Sequence, residues 1–370
     1  MAEHISYLAL PGRYELFSKA FETIIQPGDT VADLGCGVGV LGLQCLKAGA
    51  SKVYGIDGSK AIDIAGEAMT RAELTDKYHC IAGSTFDVSL PERVDALICD
   101  HIGFFGIDYG IVDMLRDAEK RFLKPSGVIV PDGIKLLIAG VSSEKAQKKA
   151  AAWTGEQIPA EFHWLDEQSR NTKHSYNFGE DELCSAETEL GYVALGAEAE
   201  EMCSFFADLI IDRDCVFGGI AGWFSAHLGG DVWMTNSPLD TASIKREQAL
   251  FPVSRPFAVR AGDRIEVAFK VRSDGELLIW KVRLPDGSIQ KQSTWASMAL
   301  SLDDLKVAGN EPVELSEKAA DRQFVLSHID GVRTAAEIEE IVLGERPDLR
   351  PTIGAGREFV RTVLARNSKA

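Results

Sequence analysis

Residues 31 to 57 read VADLGCGVGVLGLQCLKAGASKVYGID: an apolar run, a glycine-rich turn, a second apolar segment and a β-rich run ending on a carboxylate. Val31, Ala32 and Leu34 make a short buried strand, and Gly35, Gly37 and Gly39 let the backbone turn tightly and approach a ligand where a Cβ would clash. Val40, Leu43, Gln44 and Leu46 continue as helix, and Lys52 to Ile56 form the next strand. Asp57, with Gly58 beside it, closes that strand about twenty residues beyond the loop, where a carboxylate can take both hydroxyls of a ribose. The stretch is a nucleotide-binding βαβ unit.

Strand and helix go on alternating to residue 131. Ala61 to Leu74 has helical spacing, Cys80 to Ala82 and Val94 to Cys99 read as strands, Ile111 to Phe122 as helix, Lys124 to Gly127 as turn, and Val128 to Val130 as a strand stopped by Pro131. The series predicts a doubly wound parallel sheet with its crevice at the carboxyl ends of the strands, where Gly35, Asp57, Thr85 and Asp100 fall. Beyond Pro131 the pattern turns β-rich, at Leu209 to Ile211, Gly219 to Leu228, Arg264 to Val271 and Glu276 to Leu284. Lys145 to Glu200 is mixed and polar and reads as a helical or loop insertion. From about Leu302 it turns helical again, at Ala319 to Ile329, Thr334 to Leu343 and Gly356 to Ala365. The expected division is 1–132, an α/β domain; 133–300, a β-rich, barrel-like domain; and 301–370, a small helical module.

A 45% hydrophobic content in 370 residues is enough for real cores, and the formal net charge of -17 disfavours nucleic acid and anionic membrane as partners. The seven cysteines have no C-x-x-C pairing and their number is odd, so they read as reduced core residues of an intracellular chain without a metal site. No signal peptide or bilayer-length apolar run is present, which makes a soluble cytoplasmic protein the expectation.

Asp33 stands two positions before the first glycine, where its charge would oppose a pyrophosphate but tolerate a cationic ligand. D-x-G-x-G-x-G followed by an acidic strand end resembles the class I methyltransferases that use S-adenosylmethionine (SAM), whose sulfonium and α-ammonium are cationic. Methyl transfer is therefore favoured over hydride transfer, with SAM as cofactor, no metal, and Asp33, Gly35, Cys36, Gly37, Asp57 and Gly58 around it. VDALICDHIGFFG, followed by RFLKPSGVIVPD, adds a resemblance to the protein arginine methyltransferases over roughly residues 4 to 300. That resemblance implies that His4, Tyr7 and Arg13 lie on a cofactor-covering helix, that Arg13 pairs with the SAM carboxylate, and that residues 160 to 185 form a dimerisation arm. A homodimer is implied with it.

The chain departs from that family where the family grips its substrate. By ungapped alignment Asp100 replaces the first of two clamping glutamates and Tyr109 the second, with Asp108 adjacent. The family's T-H-W motif falls on Ile244, Lys245 and Arg246, and Phe86 stands where an acidic residue reads the adenine amino group, leaving stacking and the Thr85 backbone to hold the base. Lys245 and Arg246 near the site would repel a cationic side chain. The expected acceptor is thus a peptide or protein side chain other than an ordinary arginine, with Phe104, Phe105 and Tyr109 as candidate pocket walls. Asp100 and His101 are the acid/base candidates; the competing reading makes Asp100 a loop anchor and the other residues packing groups. Retained arginine methylation, with Asp100 and Asp108 sharing the clamp, and a non-catalytic scaffold that binds SAM or a peptide are the alternatives.

VELSEKAADRQFVLSHIDGVRTAAEIEEIV, at residues 313 to 342, resembles the helical part of PqqD-like domains, small winged-helix modules that capture leader peptides of ribosomally made precursors. The resemblance makes a precursor peptide a candidate substrate. The segment from Ala299 to Val313 would have to supply the usual front hairpin, and Thr334 with Glu337 reads as a capping box.

Overall fold

The structure is a computed structural model and describes residues 9–297 and 314–368. The readings at His4, Tyr7 and the segment from Ala299 to Val313 lie outside these. The chain forms two compact units, Met1–Ala299 and Leu300–Ala370.

In the first unit, β1 (Thr30–Leu34), β2 (Lys52–Asp57), β3 (Tyr78–Ala82), β4 (Val94–Cys99) and β5 (Leu123–Val130) build a parallel sheet in the order β3-β2-β1-β4-β5. Strand order reverses between β1 and β4, which opens a crevice at their carboxyl ends. Every residue of β1 is buried, as in a strand covered on both faces. The covering helices are α1 (Arg13–Ile24), α2 (Val40–Ala48), α3 (Ala61–Arg71) and α4 (Ile111–Phe122). The turn expected at Lys124 to Gly127 belongs to β5 instead. Val94 and Ala96 of β4 face Leu123 and Val128, so the four residues between bulge outward without ending the strand.

After β5 the chain enters two antiparallel sheets. β6 (Gly133–Val141), β7 (His174–Tyr176), β8 (Thr188–Ala194), β10 (Cys215–Gly229) and β12 (Gln248–Val259) pair in the order β7-β12-β10-β6-β8, with β11 (Val232–Thr235) on β10. β9 (Met202–Ile210), β13 (Arg264–Arg272), β14 (Leu278–Arg283) and β15 (Ile289–Ser293) form the second, ordered β15-β14-β13-β9. The sheets meet on Phe251, which packs edge-on against Phe269 and Trp280. Residues 145 to 200 hold α5 (Glu144–Ala150) and α6 (Leu165–Arg170), and also β7 and β8, whose partly exposed residues hid them in a polar stretch. One hydrophobic core runs from the parallel sheet into both antiparallel sheets, joining residues such as Leu97, Phe105, Phe224 and Phe269.

The second unit has its own core, Val325, Ile338, Val342, Val360 and Val363, between α7 (Glu317–Leu326), α8 (Ala335–Glu345) and α9 (Ile353–Asn367). Thr334 Oγ1 accepts from the Glu337 N–H at 3.3 Å and Glu337 Oε2 accepts from the Thr334 N–H at 2.7 Å, the capping box read from the sequence. Among the described residues this unit contains helices and no strand.

His227 of β10 and Asp132, just after β5, tie the parallel and antiparallel parts together. The imidazole contacts the Gly230 carbonyl through Nε2 at 2.8 Å and Asp132 Oδ1 through Nδ1 at 2.6 Å. The Gly230 carbonyl first, and then the Asp132 carboxylate, raise its pKa above 6.5. A histidine raised in the folded state contributes stability that is full below its unfolded value and is lost as pH rises through the folded one. Urea unfolding should therefore show the wild type losing stability as pH rises above 6.5 relative to Asp132→Asn, whose profile should be flatter.

Candidate active site

The glycine loop adopts the conformation its composition predicts: Gly35, Gly37 and Gly39 have φ of 67, 55 and 83°, a region that L side chains rarely occupy. The Gly37 N–H donates to Asp57 Oδ2 at 2.8 Å and the Ser59 N–H to Oδ1 at 2.7 Å, which fixes the carboxylate at the end of β2. Ionised carboxylates accept several hydrogen bonds, so Asp57 retains capacity for a ribose. Asp33 is turned beneath the loop. It is buried, its Oδ2 accepts from the Gly42 N–H at 2.8 Å, and the Tyr78 hydroxyl lies 3.5 Å away. Burial pushes its carboxyl up to about 7, opposed in part by the Gly42 N–H and the Arg13 charge.

Tyr78 was not singled out by sequence, yet it decides two glycines outside the loop motif. A Cβ at Gly42 would stand 2.6 Å from the Tyr78 ring, and one at Gly55 would stand 2.3 Å from its hydroxyl. These residues are glycine because the tyrosine fills the space beneath the loop.

Arg13, at the start of α1, and Asp100, just after β4, form a buried ion pair: Arg13 Nε donates to Asp100 Oδ2 at 2.6 Å and a terminal guanidinium nitrogen meets the same carboxylate. Arg13, Asp33, Gly35, Cys36, Gly37, Asp57, Asp100, His101 and Tyr109 line one cleft of about 510 Å³, joined by Ser59. Gly58 adjoins that wall through Asp57. Thr85 and Phe86 are not among the lining residues; Thr85 is buried with its carbonyl held by Arg121, and Phe86 is 50% exposed. His101 is set over the loop, its Nδ1 3.6 Å from where a Gly35 Cβ would be, and its ring centroid lies 6.2 Å from that of Tyr109. Desolvation lowers its pKa, so near neutral pH the imidazole is uncharged and able to accept a proton.

The loop after His101 corrects three substrate-binding expectations. Asp108 points inward. Its Oδ1 accepts from the Phe105 N–H at 2.9 Å, its other oxygen meets the Lys173 ammonium, and a Cβ on Gly103 would overlap it. Phe105 is fully buried, 5.0 Å from the Phe251 ring and 5.6 Å from Phe269, and so is core and not pocket. Lys245, at a φ of 54°, directs its ammonium onto its own turn, 3.4 Å from the Asp240 carbonyl and 3.3 Å from Ser243 Oγ. Arg246 does reach the loop: it is buried, donates to the Ile102 carbonyl, and stacks 5.1 Å from Phe104 and 5.8 Å from Tyr109. Phe104 is half-buried, edge-on to Tyr109 at 5.8 Å.

Two further residues hold this loop. Lys173 pairs with Asp108 and places its ammonium 5.2 Å from the Tyr109 ring. Asn236, fully buried, donates to the Phe104 carbonyl at 3.0 Å and the Glu247 carbonyl at 2.8 Å. Both come from distant strands or their flanks, and no local motif marks them.

Comparisons with known proteins agree with this geometry. The family model described as ribosomal protein L11 methyltransferase (PrmA) matches residues 15–167. Protein arginine N-methyltransferase PRMT10 of Arabidopsis thaliana is 26% identical over 276 residues, 65% of this chain and 71% of that protein. The ribosomal protein arginine N-methyltransferase rmt3 of Schizosaccharomyces pombe is 36% identical over 129 residues, 34% of this chain and 24% of that protein. The crystal structure of Arabidopsis thaliana protein arginine methyltransferase 10 superposes with a TM-score of 0.68 at 20% identity, covering 80% of this chain and 98% of that one. The Trypanosoma brucei PRMT1 enzyme–prozyme heterotetrameric complex with AdoHcy also gives 0.68 at 20% identity, covering 78% and 96%.

The cleft suits SAM: left-handed glycines bring backbone against it, Asp57 offers acceptors for a ribose, and Asp33 is a desolvated carboxylate that a cation would favour in its charged form. A cationic ligand lowers the pKa of Asp33, so binding releases a proton and strengthens as pH rises through about 7. Calorimetric titration should show SAM affinity rising across that range in the wild type and a flatter dependence in Asp33→Asn. The chain is an enzyme, a SAM-dependent methyltransferase with SAM as its cofactor, and its α/β and antiparallel-sheet architecture is similar to that of the solved arginine methyltransferases.

Proposed function

We propose that the enzyme methylates a protein or peptide side chain and that its acceptor is not an ordinary arginine. The observation behind this is electrostatic: both carboxylates of the loop from Asp100 to Tyr109 are already paired with cations of the same chain, Asp100 with Arg13 and Asp108 with Lys173. Arg246 adds a third positive charge behind Phe104 and Tyr109. A guanidinium entering this site would meet no unpaired carboxylate on the loop. A neutral nucleophile, such as an amide, imidazole or hydroxyl, meets no such penalty.

In this reading Asp33, Asp57 and the loop glycines hold SAM, and Arg13, kept in place by Asp100, is available to its carboxylate. Adenine would be held by stacking near Phe86. SAM supplies an electrophilic methyl group on a sulfonium. The neutral His101 imidazole would take the proton that the acceptor gives up on methylation. Alignment of this kind contributes roughly 7 to 11 kcal/mol in favourable cases. Replacing His101 by Gln should lower kcat by about 10²- to 10⁴-fold and remove the acid limb of the pH–rate profile. A cofactor-positioning role would change SAM affinity and leave that limb.

Arginine itself is the second reading, favoured by the names of the relatives that align over 65% of the chain. Incubation with SAM and either arginine-rich peptides or candidate acceptor proteins, read by mass spectrometry, separates the two. We expect the arginine peptides to stay unmodified and a methyl group to appear on another side chain. Methylarginine as the main product would overturn the assignment. A precursor peptide is the finer form of the proposal, with the C-terminal unit, helical over residues 314–368, as its receptor. Self-association through residues 160 to 185 is also part of the proposal, and Phe162 and Trp164, 48% and 64% exposed at its edge, are suited to it. No helix among the described residues is long and apolar enough to cross a membrane.

A further inference from the structure

The outward face of the β9–β13–β14–β15 sheet has the opposite charge to the chain as a whole. Strand alternation places Arg264, Lys270 and Arg272 of β13, Lys281 and Arg283 of β14, and Lys291 of β15 on this face, against Asp208 and Glu266. The formal charge of the chain is -17. Asp208 is taken by Arg264 at 2.8 Å, Glu266 by Arg283 at 3.2 Å, and Arg272 turns to Asp274 at the hairpin end. Lys270, Lys281 and Lys291 make no ion pair among the described residues. Lys281 and Lys291 stand directly opposite each other across the β14–β15 ladder, a like-charge arrangement that costs stability unless an anion sits between them.

An apolar element lies beside these lysines. Phe206 of β9 is 75% exposed, the most exposed aromatic side chain among the described residues. Its partner on β13 is Ala268, whose own partner on β14 is Lys281, so the row runs Phe206, Ala268, Lys281, Lys291. Beside the small alanine is a hollow of about 440 Å³, walled by Phe206 and Lys281 and by the paired Asp208, Arg264, Glu266 and Arg283.

We propose that this face docks an acidic segment of the acceptor protein, at a distance along the chain from the residue that is methylated. An apolar side chain of the segment would occupy the hollow against Phe206, and carboxylates on either side would meet Lys270, Lys281 and Lys291. This rests on the reading of a protein acceptor. The chain's net negative charge repels an acidic segment elsewhere, so a basic face favours landing there. A nucleic acid fits less well, because its continuous backbone charge runs on past this face onto a chain of formal charge -17, whereas an acidic segment can be short.

The test uses the full chain and a fluorescein-labelled peptide of alternating glutamate and leucine, with an oligonucleotide of equal charge as control. Fluorescence anisotropy should show the peptide binding more tightly than the oligonucleotide and weakening with salt. The double variant Lys281→Glu/Lys291→Glu should lose about 10-fold or more in affinity, and Phe206→Ser a smaller factor, while both keep the calorimetric SAM affinity of the wild type. Equal binding by the double variant, no peptide binding by the wild type, or preference for the oligonucleotide would overturn the proposal. Because the readout needs no methyl transfer, its failure is separate from failure of the protein-acceptor reading, which would appear as no methylated protein in the mass spectrum.

Discussion

The buried ion pair between Arg13 and Asp100 is the contact on which the site depends. It ties the first turn of α1 to the carboxyl end of β4, the two sides of the crevice left where the parallel sheet reverses its order. Removing one partner of such a pair leaves an uncompensated buried charge, which is far more costly than the pair is stabilising. The remainder of α1 packs Phe17 and Phe21 into the core, and Ile24 lies where a Cβ on Gly229 of β10 would be, so the helix also reaches the antiparallel sheet. One short helix thereby links the cleft to the antiparallel sheet, whose Phe251 packs on Phe105 of the loop after β4.

Local features of the sequence were the legible ones. The glycine turn, the carboxylate ending β2, the strands of the parallel sheet and the Thr334–Glu337 cap all depend on residues within a few positions of one another. What sequence spacing could not convey was direction. Phe104 and Phe105 are identical in type and adjacent in an irregular loop, yet one borders Tyr109 and the other is buried against Phe251 and Phe269. Lys245 and Arg246 diverge for a backbone reason, since the left-handed conformation at Lys245 turns the chain between them. Asp108 was read as a possible clamp because its partner, Lys173, comes from a segment 65 residues away that composition marked only as polar.

The pairing of Asp108 with Lys173 also changes what the loop can do. Asp108 is buried, accepts from the Phe105 N–H and pairs with an ammonium, so it holds the backbone and faces away from solvent. Its contribution is the shape of the turn from Gly103 to Gly106, whose two backbone hydrogen bonds, at 3.0 and 3.2 Å, keep Phe105 in the core. Asn236 grips the same turn from the opposite side through the Phe104 carbonyl. Polar groups from β-sheet segments thus close over the loop, with Lys173 paired to Asp108 and Arg246 stacked on Phe104.

Charge is then distributed in a consistent way over the first unit. The cofactor cleft carries the carboxylates Asp33 and Asp57 on the side that a sulfonium and a ribose would approach, while the acceptor loop is backed by positive groups. On the proposed function, a cationic methyl donor is drawn to one wall and a neutral nucleophile is received at the other. Transfer from sulfonium to a neutral nucleophile moves positive charge away from Asp33 and toward Lys173 and Arg246 unless the acceptor loses its proton. In the proposed reaction that requirement falls on the uncharged imidazole of His101, which lines the cleft beside Tyr109.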